Sequence, residues 1–261
     1  MNTLSKEEIR AQLLEKNKGI GVYVYDTIDS TNDEAKRQWK ESKKAPCLFV
    51  SDEQTGGRGR RGRSFYSPKG TGIYMSLLLQ PTIGIEDAVH ITTATAVIVA
   101  RHIRAFTGAD VGIKWVNDLY LSDKKVCGIL TEAVMEPDMT GPPAVVVGIG
   151  INLSTEVFPE ELAEIAGGLG VKEGTLSQNS LIARITNDLL AFAENMQDCS
   201  YMEDYRKMSI VLGREIRYNE GNVLIRARAL DIDSEGGLMV ELENGSVKVL
   251  KTGEITVRLA E

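Results

Sequence analysis

The stretch PAVVVGIGINL, residues 143–153, constrains the fold more than any other segment. It is nearly continuous in apolar and β-branched side chains, the pattern of a central strand buried on both faces. A central strand requires partners on either side, and the sequence supplies them. GVYVYDTI (21–28) alternates with the period of a half-buried strand, and CLFVSDEQ (47–54), GIYMSLLLQ (72–80), VGIKWV (111–116) and KKVCGILTEAV (124–134) are further strand-like runs. Helical signals fall between them. Ser5 with Glu8 makes a capping box for a helix through about Lys16, and Thr31 with Glu34 makes one for a helix through about Lys40. Val89, Thr93, Ala96, Val97, Ala100 and Ile103 mark one face of a long helix over 86–106, and a second long helix is predicted from Ser180 to about Lys207.

After Met208 the texture changes to short β runs punctuated by turn pairs. Gly236-Gly237 and Asn244-Gly245 are hairpin signals. The pattern predicts an α+β chain in two parts, a large domain over 1–208 and a small β-barrel over 209–261. With 261 residues, 43% of them hydrophobic, there is enough apolar side chain for both cores.

Composition excludes several classes. The 37 acidic and 30 basic residues give a net charge of −7, which disfavours general attraction to nucleic acid or anionic lipid. Cys47, Cys127 and Cys199 are odd in number, far apart and without a CxxC pair, which fits reduced thiols in a cytoplasm. The N-terminus lacks an apolar signal region, and no apolar run approaches the ~18 residues of a membrane span. His90 and His102 have no Cys, Asp or Glu at ligand spacing, so no protein-built metal site is expected.

Against this acidic background, QTGGRGRRGR (54–63) concentrates Arg58, Arg60, Arg61 and Arg63 among glycines. Glycine lets backbone N–H groups surround an anion, and arginine adds planar donors matched to phosphate or carboxylate. The segment fits a mobile phosphate-capturing loop, a solvated basic loop or an RGG-like nucleic-acid patch. KWVNDLYL (114–121) and the following KVCGIL (125–130) add Lys114, Asn117, Asp118 and Lys125 in an apolar setting, where ligand contacts tend to lie. Each also has a plainer explanation in turn chemistry or a solvent-facing hairpin tip.

Taken together, STN (30–32), QTGGRGRRGR, KWVNDLYL, KVCGIL, GIGINL (148–153) and the terminal GEITVR (253–258) resemble the biotin protein ligase family, in that family's order and approximate spacing. The resemblance implies a class II synthetase-like mixed sheet with helices, followed by a small SH3-like barrel. It implies a two-step reaction: biotin and ATP give biotinyl-5′-AMP and pyrophosphate, with Mg2+ carried on the ATP phosphates, and a lysine of a biotin carboxyl carrier domain then takes the biotinyl group. Arg58, Arg60, Lys125 and Asp118 would be catalytic. Ser30, Thr31, Asn32, Gln54, Gly57, Tyr74, Ser76, Gly128 and Gly148 would form the biotin pocket with Arg58, Arg60 and Lys125. Arg61, Arg63, Phe65, Lys114, Asn117, Asn152 and Arg258 would serve the nucleotide with Arg58 and Arg60.

Two departures stand out. Val116 occupies a position where the family commonly has proline, and Phe65 one where it often has tryptophan, so turn rigidity and stacking are expected to differ. Only 29 residues precede Ser30, which leaves no room for the DNA-binding winged helix of many bacterial relatives, and no DNA partner is expected. Monomer and homodimer both occur in the family and both stay open. The rival readings are a lipoate ligase, which lacks its RRxSGGG-like motif here, and a non-catalytic ligand- or nucleic-acid-binding protein.

Overall fold

The structure, a computed structural model, describes residues 4–80, 88–134, 144–172, 177–221, 223–251 and 258–259. In chain order the elements are α1 (Lys6–Gln12), β1 (Gly21–Ile28), α2 (Thr31–Ser42), β2 (Cys47–Gln54), β3 (Gly72–Leu79), α3 (Ala88–Thr107), β4 (Gly112–Lys114), β5 (Asp118–Leu121), β6 (Lys124–Val134), β7 (Ala144–Asn152), α4 (Glu160–Ala163), α5 (Gln178–Glu194), α6 (Tyr201–Met208), β8 (Glu215–Glu220), β9 (Val223–Ile232), β10 (Leu238–Leu242), β11 (Val247–Leu250) and β12 (Arg258–Leu259). Seven strands form a mixed sheet in the order β1-β2-β3-β7-β6-β5-β4, with β1 and β2 parallel and every other pair antiparallel. β7, the strand predicted to be central, is the middle strand. The last five strands form a separate antiparallel sheet, β11-β10-β9-β8-β12.

The alternation of side chains along β7 explains how the layers are arranged. Val145, Val147, Ile149 and Ile151 point into the larger core, where Val97, Ala100 and Ile103 of α3 and Leu181, Ile185 and Leu189 of α5 pack. On the opposite face, Ala144 and Val146 meet Ala35 and Trp39 of α2, along with Phe49, Leu78 and Val134. α2 covers only the end of that face, because the same row of β7 continues as Gly148, Gly150 and Asn152, with no apolar side chain to cover.

Two expectations from sequence are corrected, and one strand is added. The cap of α2 is Ser30, one residue earlier than Thr31: its hydroxyl accepts from Asp33 N–H, and the Thr31 hydroxyl is taken by Gln54. The helix predicted over 180–207 is two helices, α5 and α6, parted where Asp198 accepts from the Ser200 N–H in a local turn. Residues 118–121, which fall between the strand-like runs 111–116 and 124–134, form the short strand β5, because Asp118 and Leu119 pair with Gly128 and Cys127. Residues 86–87 and 253–257 lie outside the described residues, as does the side chain of Arg258.

The C-terminal sheet is tied to the turn between β4 and β5. Trp115, almost fully buried, donates its Nε1–H to Gly236 O at 2.9 Å, and Tyr205 Oη donates to Val116 O at 3.0 Å. Arg206 donates twice to Ile232 O, at 2.9 and 2.7 Å. The Trp115–Val116 peptide is cis. Replacing Trp115 by Phe would leave the Gly236 carbonyl unpaired in a buried setting, so Trp115→Phe is expected to lose about 1–3 kcal/mol in chemical denaturation. A loss within experimental error would show that the bond contributes nothing.

Candidate active site

The predicted site residues gather at the bare end of the α2 face, and strand register sets their plan. Across the sheet, Tyr74, Gly150 and Gly128 lie side by side, and Asp118 follows Gly128; one step along, Ser76, Gly148 and Leu130 form the next row. Three glycines therefore make a floor with polar side chains at its edges. A Cβ on Gly148 would overlap Asn32 Oδ1, one on Gly150 would overlap the Phe65 ring, and one on Gly128 would lie 3.1 Å from both Lys125 Nζ and Phe65. The cleft needs glycine here because neighbouring groups approach the backbone directly.

One end of the floor is a chain of hydroxyls and amides at the start of α2. Thr31 donates its N–H and its hydroxyl to Gln54 Oε1, at 2.9 and 3.0 Å. Gln54 Nε2 donates to Ser67 Oγ at 2.9 Å, and Ser67 Oγ donates to Phe65 O. On the other side of Thr31, Ser76 Oγ lies 2.7 Å from Thr31 Oγ1 and 2.6 Å from Asn32 Oδ1. Burial of such groups costs little only when they are paired, as these are. Gly57 belongs to the scaffold, since a Cβ there would overlap Phe65 O.

The other end is cationic. Lys125 Nζ lies 2.7 Å from Asp118 Oδ1 and 6.0 Å from the Phe65 ring centre. Arg60 Nη1 donates to Asn117 Oδ1 at 3.1 Å, and Asn117 Nδ2 donates to Asp118 Oδ1 and to Ile129 O. Burial pulls the Arg60 pKa below the usual arginine range, and Asp118 opposes that pull. Arg58 pairs through Nε with Asp33 Oδ2 at 2.7 Å. The loop bearing these arginines doubles back on itself, with Gly59 N–H donating to Arg63 O and Phe65 N–H to Gly57 O. Arg61 and Gly62 hold its tip in the left-handed region, at φ 57° and 74°.

Most of the predicted site residues therefore meet at one cleft, with Tyr74 beneath it, its ring edge-on to Phe65. Arg61 and Arg63 are exposed and line no part of it. Lys114 turns to Tyr120, 3.3 Å from its hydroxyl. Asn152 lies beyond Gly150, its Nδ2 donating to Gly167 O and its buried Oδ1 without a partner. Sequence reasoning passed over Gly150, Leu130, Ser67 and Asp33. The i, i+2 spacing of GIG would have pointed to Gly150, but the others have no local signal. A larger cavity of about 960 Å3, bordered by Thr71, Lys124, Phe158 and Lys172, contains none of the arginines and none of the floor glycines. The cations Arg58, Arg60 and Lys125 converge on the smaller cleft.

Comparison with known proteins agrees with this geometry. Residues 24–152 match the biotin/lipoate A/B protein ligase family, and residues 211–258 match the biotin protein ligase C terminal domain. The chain is 33% identical over 254 residues to the bifunctional ligase/repressor BirA of Bacillus spizizenii, covering 94% of this chain and 77% of that one. It belongs to the biotin protein ligase family. Other members include the biotin–[acetyl-CoA-carboxylase] ligase of Mycobacterium tuberculosis, 25% identical over 80% of this chain and 77% of that one. A solved family structure, biotin protein ligase from Aquifex aeolicus in complex with biotin and ATP, superposes with a TM-score of 0.73 at 26% identity, covering 92% of this chain and 99% of that one.

Within this family member the glycine floor can be tested by itself. Gly148→Ala must displace the Asn32 amide and is expected to cost about 1–3 kcal/mol in chemical denaturation. Gly19→Ala, where a Cβ meets nothing within 4 Å, is expected to stay within about 0.5 kcal/mol of the wild type. Equal effects at the two sites would contradict the close approach at Gly148.

Proposed function

We propose that this chain is a biotin protein ligase whose cleft binds the biotin head group at the Thr31–Gln54–Ser76–Asn32 end and the reacting carboxylate and phosphate at the Lys125–Arg60–Arg58 end. One observation carries the reading: a bare glycine floor joins a neutral chain of hydrogen-bonding groups to three cations. A ureido ring on an apolar tail ending in a carboxylate has the same order of groups.

The first step brings two anions together. The biotin carboxylate oxygen attacks the α-phosphorus of ATP, a P–O bond forms, the bond to the β-phosphate breaks, and pyrophosphate leaves. Lys125 and Arg60 offset the charge that accumulates at those oxygens. In the second step a carrier-lysine amine attacks the biotinyl carbonyl, the C–O bond to AMP breaks, and AMP and a proton leave. Asp118 would orient that amine or take its proton, a role supported by its contacts with Lys125 and Asn117. The unpartnered Oδ1 of Asn152 is an acceptor suited to an adenine amino group. Mg2+ enters on the triphosphate. The acceptor is a biotin carboxyl carrier domain.

With the Phe65 ring over the floor, the cleft retains a free volume of only about 40 Å3, well below the roughly 300 Å3 at which small-molecule pockets begin. Binding therefore requires Phe65 and the arginine loop to move and then close over the adenylate, which shields the anhydride from water. We further assign residues 1–208 to the catalytic domain and 209–261 to an SH3-like barrel braced against the Lys114–Asp118 turn by Trp115. Three unpaired cysteines suit a reducing cytoplasm, and among the described residues no helix is long and apolar enough to cross a membrane.

Incubation with biotin, MgATP and an isolated biotin carboxyl carrier domain is expected to add one biotinyl group to one lysine, read by intact mass; no mass gain would contradict the proposal. Lys125→Met is expected to slow adenylation by about 10²–10³-fold. Arg60→Gly is expected to release adenylate and label lysines on bystander proteins, and labelling that stays confined to the carrier lysine would remove the loop's retaining role.

A further inference from the structure

On the α2 face, β6 carries Gly128, Leu130 and then Glu132, one row beyond the glycine floor. Glu132 is three-quarters buried and touches two residues of α2: Lys36 Nζ lies 2.7 Å from its Oε1, and Asn32 Nδ2 donates to its Oε2 at 2.8 Å. A carboxylate paired with lysine offers only acceptors. With the longer contact of Asn32 Nδ2 to Leu130 O at 3.4 Å as a weaker support, it sets which end of the Asn32 amide faces it, and leaves Oδ1 of that amide turned to Ser76 and the floor at Gly148. At the far end of the same chain, the Thr31 N–H can only donate, and it fixes Oε1 of Gln54 in the same way. Every hydroxyl and amide between these two anchors takes its direction from them.

We infer that Glu132 is a positioning and specificity-determining residue that sets the donor and acceptor pattern of the head-group pocket through Asn32. The inference rests on the proposed function, since it takes the ligand to be a ureido ring whose N–H groups need acceptors. With Glu132 present, Asn32 Oδ1 is an acceptor aimed at the cleft. If the amide were reversed, an N–H would face the ligand's N–H.

The hydrogen-bond geometry makes an unusual prediction for Glu132→Gln. Lys36 holds the oxygen nearest to it, so the new amide keeps its carbonyl toward Lys36 and turns its NH2 toward Asn32. Asn32 must then reverse. Adding Lys36→Met releases the glutamine, which can turn its carbonyl to Asn32 and restore the original direction. Loss of an ion pair alone predicts the opposite order, with the double variant no better than the single one.

The experiment is steady-state biotin-dependent pyrophosphate exchange with the wild type, E132Q and E132Q/K36M, with thermal midpoints recorded alongside. E132Q is expected to raise the KM for biotin about ten-fold, the value of one hydrogen bond, with the KM for ATP and kcat within about two-fold. The double variant is expected to recover most of the biotin KM. An unchanged KM in E132Q, or a double variant as weak as the single, would overturn the inference while active wild type leaves the proposed function standing. Wild type without exchange would instead overturn the proposed function, and this inference with it. If E132Q alone does not fold, recovery of a folded, biotin-binding enzyme by K36M is the supporting result and its failure the contradicting one.

Discussion

Everything at the site depends on one row of side chains along β7. Ala144 and Val146 give α2 something to pack on; Gly148 and Gly150 give it nothing. The helix is therefore held firmly at one end of the sheet, while its N-terminal Ser30-Thr31-Asn32 stands over open backbone. A Cβ on either glycine would close the cleft. The opposite row, Val145 to Ile151, is uniformly apolar and fastens the strand to the main core, so the bare backbone sits on a rigid platform.

The polar end and the cationic end are both satisfied internally in the described structure. Lys125 has Asp118, Arg58 has Asp33 and Arg60 has Asn117. Such pairing limits the cost of holding positive charge beside partly buried backbone, and the partners are carboxylates at Lys125 and Arg58 and a neutral amide at Arg60. The loop is connected to the rest by the same logic. The hydrogen-bond chain that begins at Glu132 ends, through Gln54 and Ser67, on the carbonyl of Phe65, so movement of the aromatic ring and order in the head-group pocket are mechanically linked.

Much of this was legible in the sequence because strong local signals agree with the global fold. The PAVVVGIGINL run became the central strand, the turn pairs Gly236-Gly237 and Asn244-Gly245 became hairpins, and STN fell at a strand-to-helix junction. What was missed depended on distant partners. Thr31 read as a helix cap until Gln54, 23 residues away, claimed its hydroxyl. The short strand at Asp118–Leu121 has too little pattern of its own, and only its pairing with β6 defines it. The four arginines were indistinguishable by composition; in the fold Arg60 is partly buried on Asn117 and Arg58 pairs with Asp33 at the cleft rim, whereas Arg61 and Arg63 are exposed away from the cleft. Glu132 carries no signal in its own segment, since nothing local reveals that Lys36 and Asn32 lie above it.

Adenylation of biotin at this cleft is the step on which the proposed function depends. Exchange of labelled pyrophosphate into ATP measures that step without any knowledge of the acceptor, and it compares two acids on the same protein. The account predicts exchange that requires biotin and is absent with lipoate in its place. Exchange supported by lipoate and not by biotin would contradict it.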